Sequence, residues 1–545
     1  MKVSYQHANP RRGQESYYIK FNDEERDGKM CILVDSGENV SVGEDLSDGE
    51  HLGGILLTHA HGDHYATLPQ NVTDGTNIYA SPDTGKILSK ILNETGKHDN
   101  IGDQSNVMNS IQTITGWETI WDGVEIRPIP AGHAPGAVGY IIRFSDNGET
   151  NHILATGDFT FSSVAGNPGL SKEYPVDIDA LFMNASVTGV DNESFNTVLN
   201  SSVKTIIEER IRNDDNVLVT ASSLSGVHYG YLLGHIIEEL ELGFQVGLVG
   251  HTAKLYEDLG YDVSSVTTIP EFSDAQYVLS QADICIAGPC VPANNTSKNL
   301  FDALKNDTSA SLVQILSGTH YDPIKNGRCN VHSFEYKAHP TQADIDEFVE
   351  TVVPRELIIE HGRVNTYGNR YHFTITWSNR DYDEYTVYEN GRWQSPHWIN
   401  EDADQSLRES HRQRSNEKGG KNTVDFPAVQ RQQKADLARE GIDINLIDLS
   451  TTAESESAVV ESGESSDLQN HIDTQFKEVF ERLENLEETV NAEPVTGKVV
   501  GQVDGGNVLV QINEEKLPEG DQEEITFHIT NSENEQEEED DQDDE

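Results

Sequence analysis

The sequence predicts an α/β protein: a strand-rich, layered domain interrupted by an inserted parallel α/β domain and followed by an acidic extension. Three observations predict it. Short β-branched and aromatic runs with tight turns fill the region from Tyr17 to Asn184, helix-like and strand-like segments alternate from about 192 to 317, and strand-like runs then resume until the composition turns polar near residue 398. The division expected is 1–190 and 318–397 for the two parts of the interrupted domain, 191–317 for the insertion and 398–465 for a polar linker. Beyond these come a coiled-coil helix at 466–493, a small β-rich segment at 494–531 and a disordered acidic tail at 532–545.

Each element has a local reason. The runs SYYIKF, KMCILVDSG, HLGGILL, NIYAS, VEIRPIPAGH, GYIIRF, HILATGDF and ALFMNAS are rich in Val, Ile, Tyr and Phe and are separated by Gly, Asn and Asp, the chemistry of strands and turns. Helices are expected after Asp63 and Pro82. In the insertion, SFNTVLNSSVKTIIEERI, GYLLGHIIEELE and TAKLYEDLG read as helices between the strands NVLVTAS, FQVGLVG, ADICIAG and SLVQILS, and such alternation calls for crossover connections in a parallel sheet. The interrupted domain resumes with NVHSFEYKA, TQADIDEFVETV, RELIIEHG, YHFTITW and YTVYENGRW. In the extension, Ile472, Phe476, Val479, Leu483, Leu486 and Val490 alternate at spacings of 4 and 3, a coiled-coil pattern that serves self-association or a helix packed on its own body. KVVGQV and NVLVQIN flank Asp504-Gly505-Gly506 as a hairpin, EITFHIT offers a third strand, and ten of the last thirteen residues are acidic.

Of 545 residues, 94 are Asp or Glu and 38 are Lys or Arg, for a net charge of −56. The excess is −29 up to residue 400 and −27 beyond it, so the whole surface is acid-coated, as in haloarchaeal-type, salt-loving proteins. A basic nucleic-acid grip spread over the surface is excluded. At molar salt, screening within about 3 Å suppresses the self-repulsion of such a coat. Cys31, Cys285, Cys290 and Cys329 show no paired spacing and are expected as free thiols in a reducing cytosol. The N-terminus has no apolar signal core and no stretch of about 18 apolar residues occurs, so a cytoplasmic protein without a membrane partner is expected.

The chemistry-bearing signal is Thr58-His59-Ala60-His61-Gly62-Asp63-His64, directly after the apolar run GGILL. Three imidazoles and a carboxylate within six residues converge only if the chain turns sharply at the strand end. Placed so, His59 and His61 grip one metal while Asp63 and His64 grip a second. Two metals at close range clamp an in-line displacement. The plain alternative is a surface histidine cluster.

HxHxDH after a strand resembles the metallo-β-lactamase superfamily, and further motifs follow in order. Asp35-Ser36-Gly37 is similar to its supporting aspartate turn, Ala131-Gly132-His133 with Gly136 to its AGHxxG motif, and Thr156-Gly157-Asp158-Phe159 to its TGDF motif. His339 in FEYKAHPTQADIDEFV and His361 in ELIIEHGR resemble motifs of the β-CASP branch, which holds RNase J and the nuclease of messenger-RNA 3′-end processing. The resemblance implies an αββα sandwich carrying an inserted β-CASP domain. It implies two Zn2+ ions, with His59, His61 and His133 on the first, Asp63, His64 and His361 on the second, and Asp158 bridging. It also places Asp63, His339 and Asn184 among the catalytic residues, His339 as the general acid with a near-neutral pKa, and the histidine at 361 tilts the substrate toward RNA.

Three departures stand out. Asn184 occupies a place where the family carries a carboxylate, and is expected to accept a hydrogen bond from His339. The family's arginine-bearing phosphate loop reads TASSLSGVHYGYLL, with Val227 at the arginine position. Ser222, Ser223, Ser225 and the backbone at Gly226 remain as substrate phosphate donors, or as a simple helix cap. DHYATLP replaces the family's DHxGGLP, which reshapes the cleft at Tyr65 to Thr67. The function implied is zinc-dependent phosphodiester hydrolysis, most specifically a ribonuclease in RNA processing or decay, with internal or terminal cleavage left open. The rivals are a DNA nuclease, a small-ester metallo-hydrolase and a catalytically quiet RNA-binding or assembly subunit.

Overall fold

The computed structural model describes residues 1–11, 13–23, 28–73, 75–98, 105–186, 193–213, 216–318, 322–362, 366–368, 370–417, 424–432, 434–447 and 449, with two further strands at 498–503 and 507–511. The chain falls into two units, Met1–Glu456 and Ser457–Glu545.

Strands that are apolar on both faces set the layering of the first unit. In Tyr17–Asp23, Tyr17, Ile19 and Phe21 face a core shared with Phe144, Phe182 and Trp377, whereas Tyr18 faces Leu33, Ile55 and Leu88. In the opposing sheet, Ile153, Phe182 and Ile358 join the shared core, and Leu154, Leu181 and Leu357 point to the far side. Successive side chains of a strand alternate between faces, so each sheet is packed on both sides. The product is a four-layer arrangement in which helices such as Pro82–His98 and Gln342–Val352 cover two central sheets.

The first sheet has eight strands, ordered Arg392–Trp393, Glu384–Glu389, Lys2–His7, Tyr17–Asp23, Gly28–Val34, Glu50–Leu56, Ile78–Ala80, Ile111–Thr113. The second has seven, ordered Ile375–Trp377, Glu356–Glu360, Ala180–Asn184, Glu149–Ala155, Val138–Asp146, Val124–Pro130, Glu118–Trp121. Val34, Leu56, Pro130, Ala155, Asn184 and Glu360 are all C-terminal strand ends, and the loops leaving them bring the motif residues to one rim.

A third sheet of six strands, all parallel, runs Val266–Ile269, Val246–Val249, Ile284–Ala287, Val217–Thr220, Ser311–Leu316, Asn330–Glu335. Its last strand extends beyond residue 317, the expected end of the insertion. The reason is register: Asn330–Glu335 pairs with Ser311–Leu316 along its whole length.

Within the expected polar linker at 398–465, the described residues pack on the body instead of standing apart from it. Residues Glu401–Glu417 form a helix that packs Leu407 against the shared core and donates a hydrogen bond from His411 Nε2 to the Val353 carbonyl, 3.1 Å. Further on, Phe426 meets the Trp117 ring with centroids 5.6 Å apart and lies 4.9 Å from the Arg127 guanidinium, while Ile442 and Ile447 are buried in the main core. A few widely spaced apolar anchors, too irregular to show periodicity, hold a polar segment to the body. The second unit contains the antiparallel pair Lys498–Val503 and Asn507–Gln511. The expected coiled coil at 466–493, the third strand EITFHIT and the acidic tail lie outside the described residues. Among the described residues no helix is long and apolar enough to cross a membrane, and all four cysteines are buried free thiols.

Candidate metal centre

The site begins with a buried carboxylate. Asp35, fully buried at the end of Gly28–Val34, accepts hydrogen bonds from the Thr58 backbone N–H (2.8 Å), the Thr58 hydroxyl (2.8 Å) and His64 Nδ1 (2.7 Å). Since a carboxylate only accepts, His64 carries its proton on Nδ1 and turns the lone pair of Nε2 into the site. That Nε2 is buried and has no hydrogen-bond partner, although Asp158 Oδ2 stands 3.6 Å and Asp63 Oδ2 4.0 Å away. Because the Thr58 hydroxyl donates to Asp35, it accepts from His59 Nδ1 at 3.0 Å, which leaves His59 Nε2 as a lone pair. His133 Nδ1 donates to the Ala338 carbonyl at 2.9 Å, with the same consequence for His133 Nε2.

These tautomers decide the chemistry. His61 Nδ1 lies 2.9 Å from His59 Nε2 and 3.0 Å from His133 Nε2. It can donate to one of them at most, so three converging ring nitrogens share no more than one proton. Lone pairs held this close need a cation between them. Asp158 completes the second half of the site, 3.8 Å from His133 Nε2 and 3.3 Å from His361 Nδ1. Three donor sets result, each with its atoms within 4.8 Å of one another: His59, His61 and His133; His59, His64 and Asp158; His133, Asp158 and His339. Buried His and Asp groups here can hold metal.

The electrostatics agree. Burial, then the neighbouring imidazoles of His64 and His133, holds His59 well below the usual histidine range, and burial with His133 pulls His61 down to about 3. His64 goes the other way: burial lowers it, but Asp35 and Asp158 outweigh burial and hold it well above its ordinary value. Burial pushes Asp158 up, but His361 and His64 outweigh it and carry the carboxyl well below its usual range. Neutral imidazoles at His59, His61 and His133 face an ionised Asp158, the ligand forms a divalent ion requires, while the carboxylates beside His64 and His361 favour a positive charge on that side of the site, a proton or a metal cation. Backbone strain marks the same rim. Asp35, His133 and His361 have φ of 54°, 51° and 46°, a left-handed region costly for residues with a Cβ and concentrated at functional sites. The turn after His133 also needs Gly136, at φ +83°, because a Cβ there would stand 2.6 Å from the Thr84 nitrogen.

His339 and Asn184 differ from expectation. The Asn184 side chain donates from Nδ2 to Asp158 Oδ1 at 3.2 Å, and His339 is instead bonded through Nδ1 to the Ser186 hydroxyl at 3.0 Å. The physical reason is placement. Asn184 ends the buried strand beside Asp158 and points inward, whereas Ser186 lies past the strand end where His339 arrives. Burial, followed by the fields of His133, His361 and His64, brings His339 down to about 3 despite Asp158, so its imidazole is neutral at pH 7 rather than near-neutral in pKa. Asp63 is half-exposed at the start of the short helix Gly62–Tyr65.

The serine run makes local bonds. Ser222 caps the helix Ser223–Glu239, accepting from the Ser225 N–H and sharing a hydrogen bond of 2.7 Å with the Ser225 hydroxyl. Ser223 bonds His251 at 2.8 Å, and Gly226 N–H donates to the Ser222 carbonyl at 2.7 Å. This is the helix-cap alternative, with the hydroxyls engaged in local bonds. Thr67, expected to reshape the cleft, is buried and donates to the Gly37 carbonyl at 2.8 Å. The sequence reading missed Thr58 and Ser186. Thr58 had a signal, a hydroxyl directly before the first histidine; Ser186 had none, since its partner is 153 residues away.

A family model described as a Beta-lactamase superfamily domain matches residues 32–193. The DNA cross-link repair 1A protein of Mus musculus is 23% identical over 308 residues, 56% of this chain and 28% of that protein, and that of Homo sapiens is 24% identical over 322 residues, 56% of this chain and 27% of that protein. A hydroxyacylglutathione hydrolase of Yersinia enterocolitica is 34% identical over 96 residues, 17% of this chain and 37% of that protein. The chain thus spans between about a quarter and two-fifths of the length of these relatives. The crystal structure of a protein of unknown function from Enterococcus faecalis V583 shares the fold, with a TM-score of 0.51 over 71% of this chain and 100% of that chain at 14% identity. With its motif histidines gathered at one rim of a two-sheet sandwich, the chain carries a metallo-β-lactamase superfamily domain.

Proposed function

We propose that this protein is a zinc-dependent phosphodiesterase that cleaves RNA. The observation that carries the reading is the proton shortage among the ring nitrogens of His59, His61 and His133, within 3.0 Å of the shared His61 Nδ1. The unpartnered, buried His64 Nε2 supports a second cation. In this reading His59, His61 and His133 would hold one zinc, Asp63, His64 and His361 would hold the other, and Asp158 would be available to both. Bound there, the pair supplies Lewis acidity that lowers the pKa of water and offsets phosphate charge.

The chain's own groups do the rest. Asp35 and Thr58 fix the tautomers of His64 and His59, and Asn184 holds one oxygen of Asp158. His339 is the proton donor to the leaving oxygen. Its imidazole is neutral at pH 7, Ser186 orients the ring, and an arriving phosphodiester anion favours its protonated form. A nucleic-acid substrate is consistent with relatives named for DNA cross-link repair. Those names also favour a second reading, DNA as substrate. An acid-coated surface suited to high salt belongs to the same proposal.

The test is hydrolysis of end-labelled RNA and DNA of matched sequence by the full chain in molar KCl, with and without chelator. The reading expects RNA cleavage that chelator abolishes. Preferential cleavage of DNA transfers the conclusion to the second reading, and chelator-insensitive cleavage overturns both.

A further inference from the structure

A cavity of about 530 Å³ opens beside His339, within the range of small-molecule sites, about 300–1,000 Å³. One wall is Phe161, half-buried, with its ring centroid 5.5 Å from that of Phe348. At the rim stands Arg439, from the segment expected to be linker, and among the described lining residues it is the one Lys or Arg. Its backbone is fixed on both sides. The Ser163 N–H donates to the Arg439 carbonyl at 2.8 Å, and the buried Glu440 beside it accepts from the Ala165 N–H (3.1 Å), the Gly166 N–H (2.7 Å) and His228 Nε2 (3.0 Å).

The guanidinium itself is available. Its side chain is 65% exposed, and its ion pair to Asp436, 3.4 Å, is with a carboxylate that is 46% exposed. Such exposed pairs are weak and readily exchanged for a better anion. The lining carboxylate Asp344 is not a competitor, because its Oδ2 accepts from the Thr341 N–H (3.1 Å) and hydroxyl (2.7 Å) as part of a helix cap. In a chain of net charge −56, an arginine on a fixed backbone that lines the same cavity as His339 is a selective feature for a phosphate. A guanidinium offers a paired donor fork to phosphate oxygens, and the Lys172 ammonium, 4.5 Å from the centroid of the Phe161 ring, adds positive charge beside the same wall.

We propose that this cavity seats the nucleotide next to the scissile phosphodiester of a single-stranded RNA, with Arg439 contacting its phosphate. The proposal rests on the nuclease reading and adds a substrate-binding subsite that the C-terminal segment helps to build. The test uses the full chain and its Arg439→Ala, Arg439→Lys and Arg439→Glu variants, with a cleavage-resistant phosphorothioate RNA octamer followed by fluorescence anisotropy across a salt series. Cleavage of an unmodified octamer is measured in parallel. Arg439→Ala is expected to weaken binding roughly 5- to 20-fold and to lower the salt slope by about one. Arg439→Lys should recover most of the loss and Arg439→Glu should exceed it, with KM rising and kcat nearly unchanged. Equal affinity and salt slope for Arg439→Ala overturn the subsite, as does a parent chain that binds no octamer. Arg439-dependent binding without any cleavage supports the subsite and overturns the nuclease reading. Cleavage indifferent to Arg439 does the reverse.

Discussion

Glu440→Ala removes one acceptor from three buried donors at once. The Ala165 N–H, the Gly166 N–H and His228 Nε2 all lie within 3.1 Å of its carboxylate, which is 1% exposed. His228 also accepts from the Tyr336 hydroxyl through Nδ1 at 2.9 Å, so its ring cannot turn to another acceptor without breaking that bond. Each orphaned buried donor costs about 1–3 kcal/mol, and water entering the vacated volume recovers part. A net loss of about 3–4 kcal/mol follows, a large share of a typical stability of about 5–15 kcal/mol. Expressed locally, amide exchange at residues 165–166 and 436–447 should accelerate roughly 10²- to 10³-fold, since about 1.4 kcal/mol is tenfold. Hydrogen-exchange mass spectrometry of the full chain reads this directly. Glu440→Gln keeps one acceptor oxygen and should lose less than half as much. Exchange within a factor of about three of the parent in Glu440→Ala would refute the claim that this residue clamps the C-terminal segment to both parts of the body. The same reasoning expects truncation after residue 397 to yield a poorly folded chain, because it would also strip Phe426, Ile442 and Ile447 from the core.

Further outcomes are expected at the site and beyond it. Asp35→Asn leaves three donors facing an amide and frees His64 to change tautomer, so zinc affinity measured by chelator competition should fall about 10- to 100-fold with the fold intact. His339→Ala should lower hydrolysis by roughly 10²- to 10⁴-fold while metal content is unchanged, and Ser186→Ala should produce a smaller loss of kcat in the same assay. Burial raises Asp179 from its ordinary 3.8 to about 6, so the folded chain binds this proton more tightly than the unfolded chain does. The group's contribution to stability is therefore greatest below pH 3.8 and declines as pH rises to about 6, by about 3 kcal/mol. Asp179→Asn removes that decline, so the difference between variant and parent in urea unfolding should change by about that amount between pH 4 and pH 7.

The parts of the site that were legible in the sequence are those encoded locally. His59, His61, Asp63 and His64 fall within six residues of a strand end, and His133, Asp158 and His361 each follow an apolar strand. Periodicity also exposed the two-faced strands, because Tyr17 to Phe21 is apolar without interruption except at Lys20. What stayed hidden depends on side-chain direction or on distant partners. Whether Asn184 reaches Asp158 or His339 is set by which face of a strand end it occupies, and the pairing of Ser186 with His339 spans 153 residues. The C-terminal clamp was invisible for a different reason. Glu440 in ARE reads as one more surface acid in an acidic chain, and only the fold brings it against the turn at Ala165 and Gly166. Composition predicted a linker because the anchors Phe426, Val429, Ile442 and Ile447, spread over 22 residues, have no period.

The central claim, that the gathered histidines form a two-ion centre, is tested most directly by metal content. Elemental analysis of the full chain, prepared without chelator and freed of loosely bound ions, should return about two zinc per chain. His133→Ala and His361→Ala should each lower that number, the first from the side of His59 and His61 and the second from the side of His64, with the fold retained by circular dichroism. A folded parent chain that carries no zinc, or a metal content indifferent to both substitutions, would contradict the account.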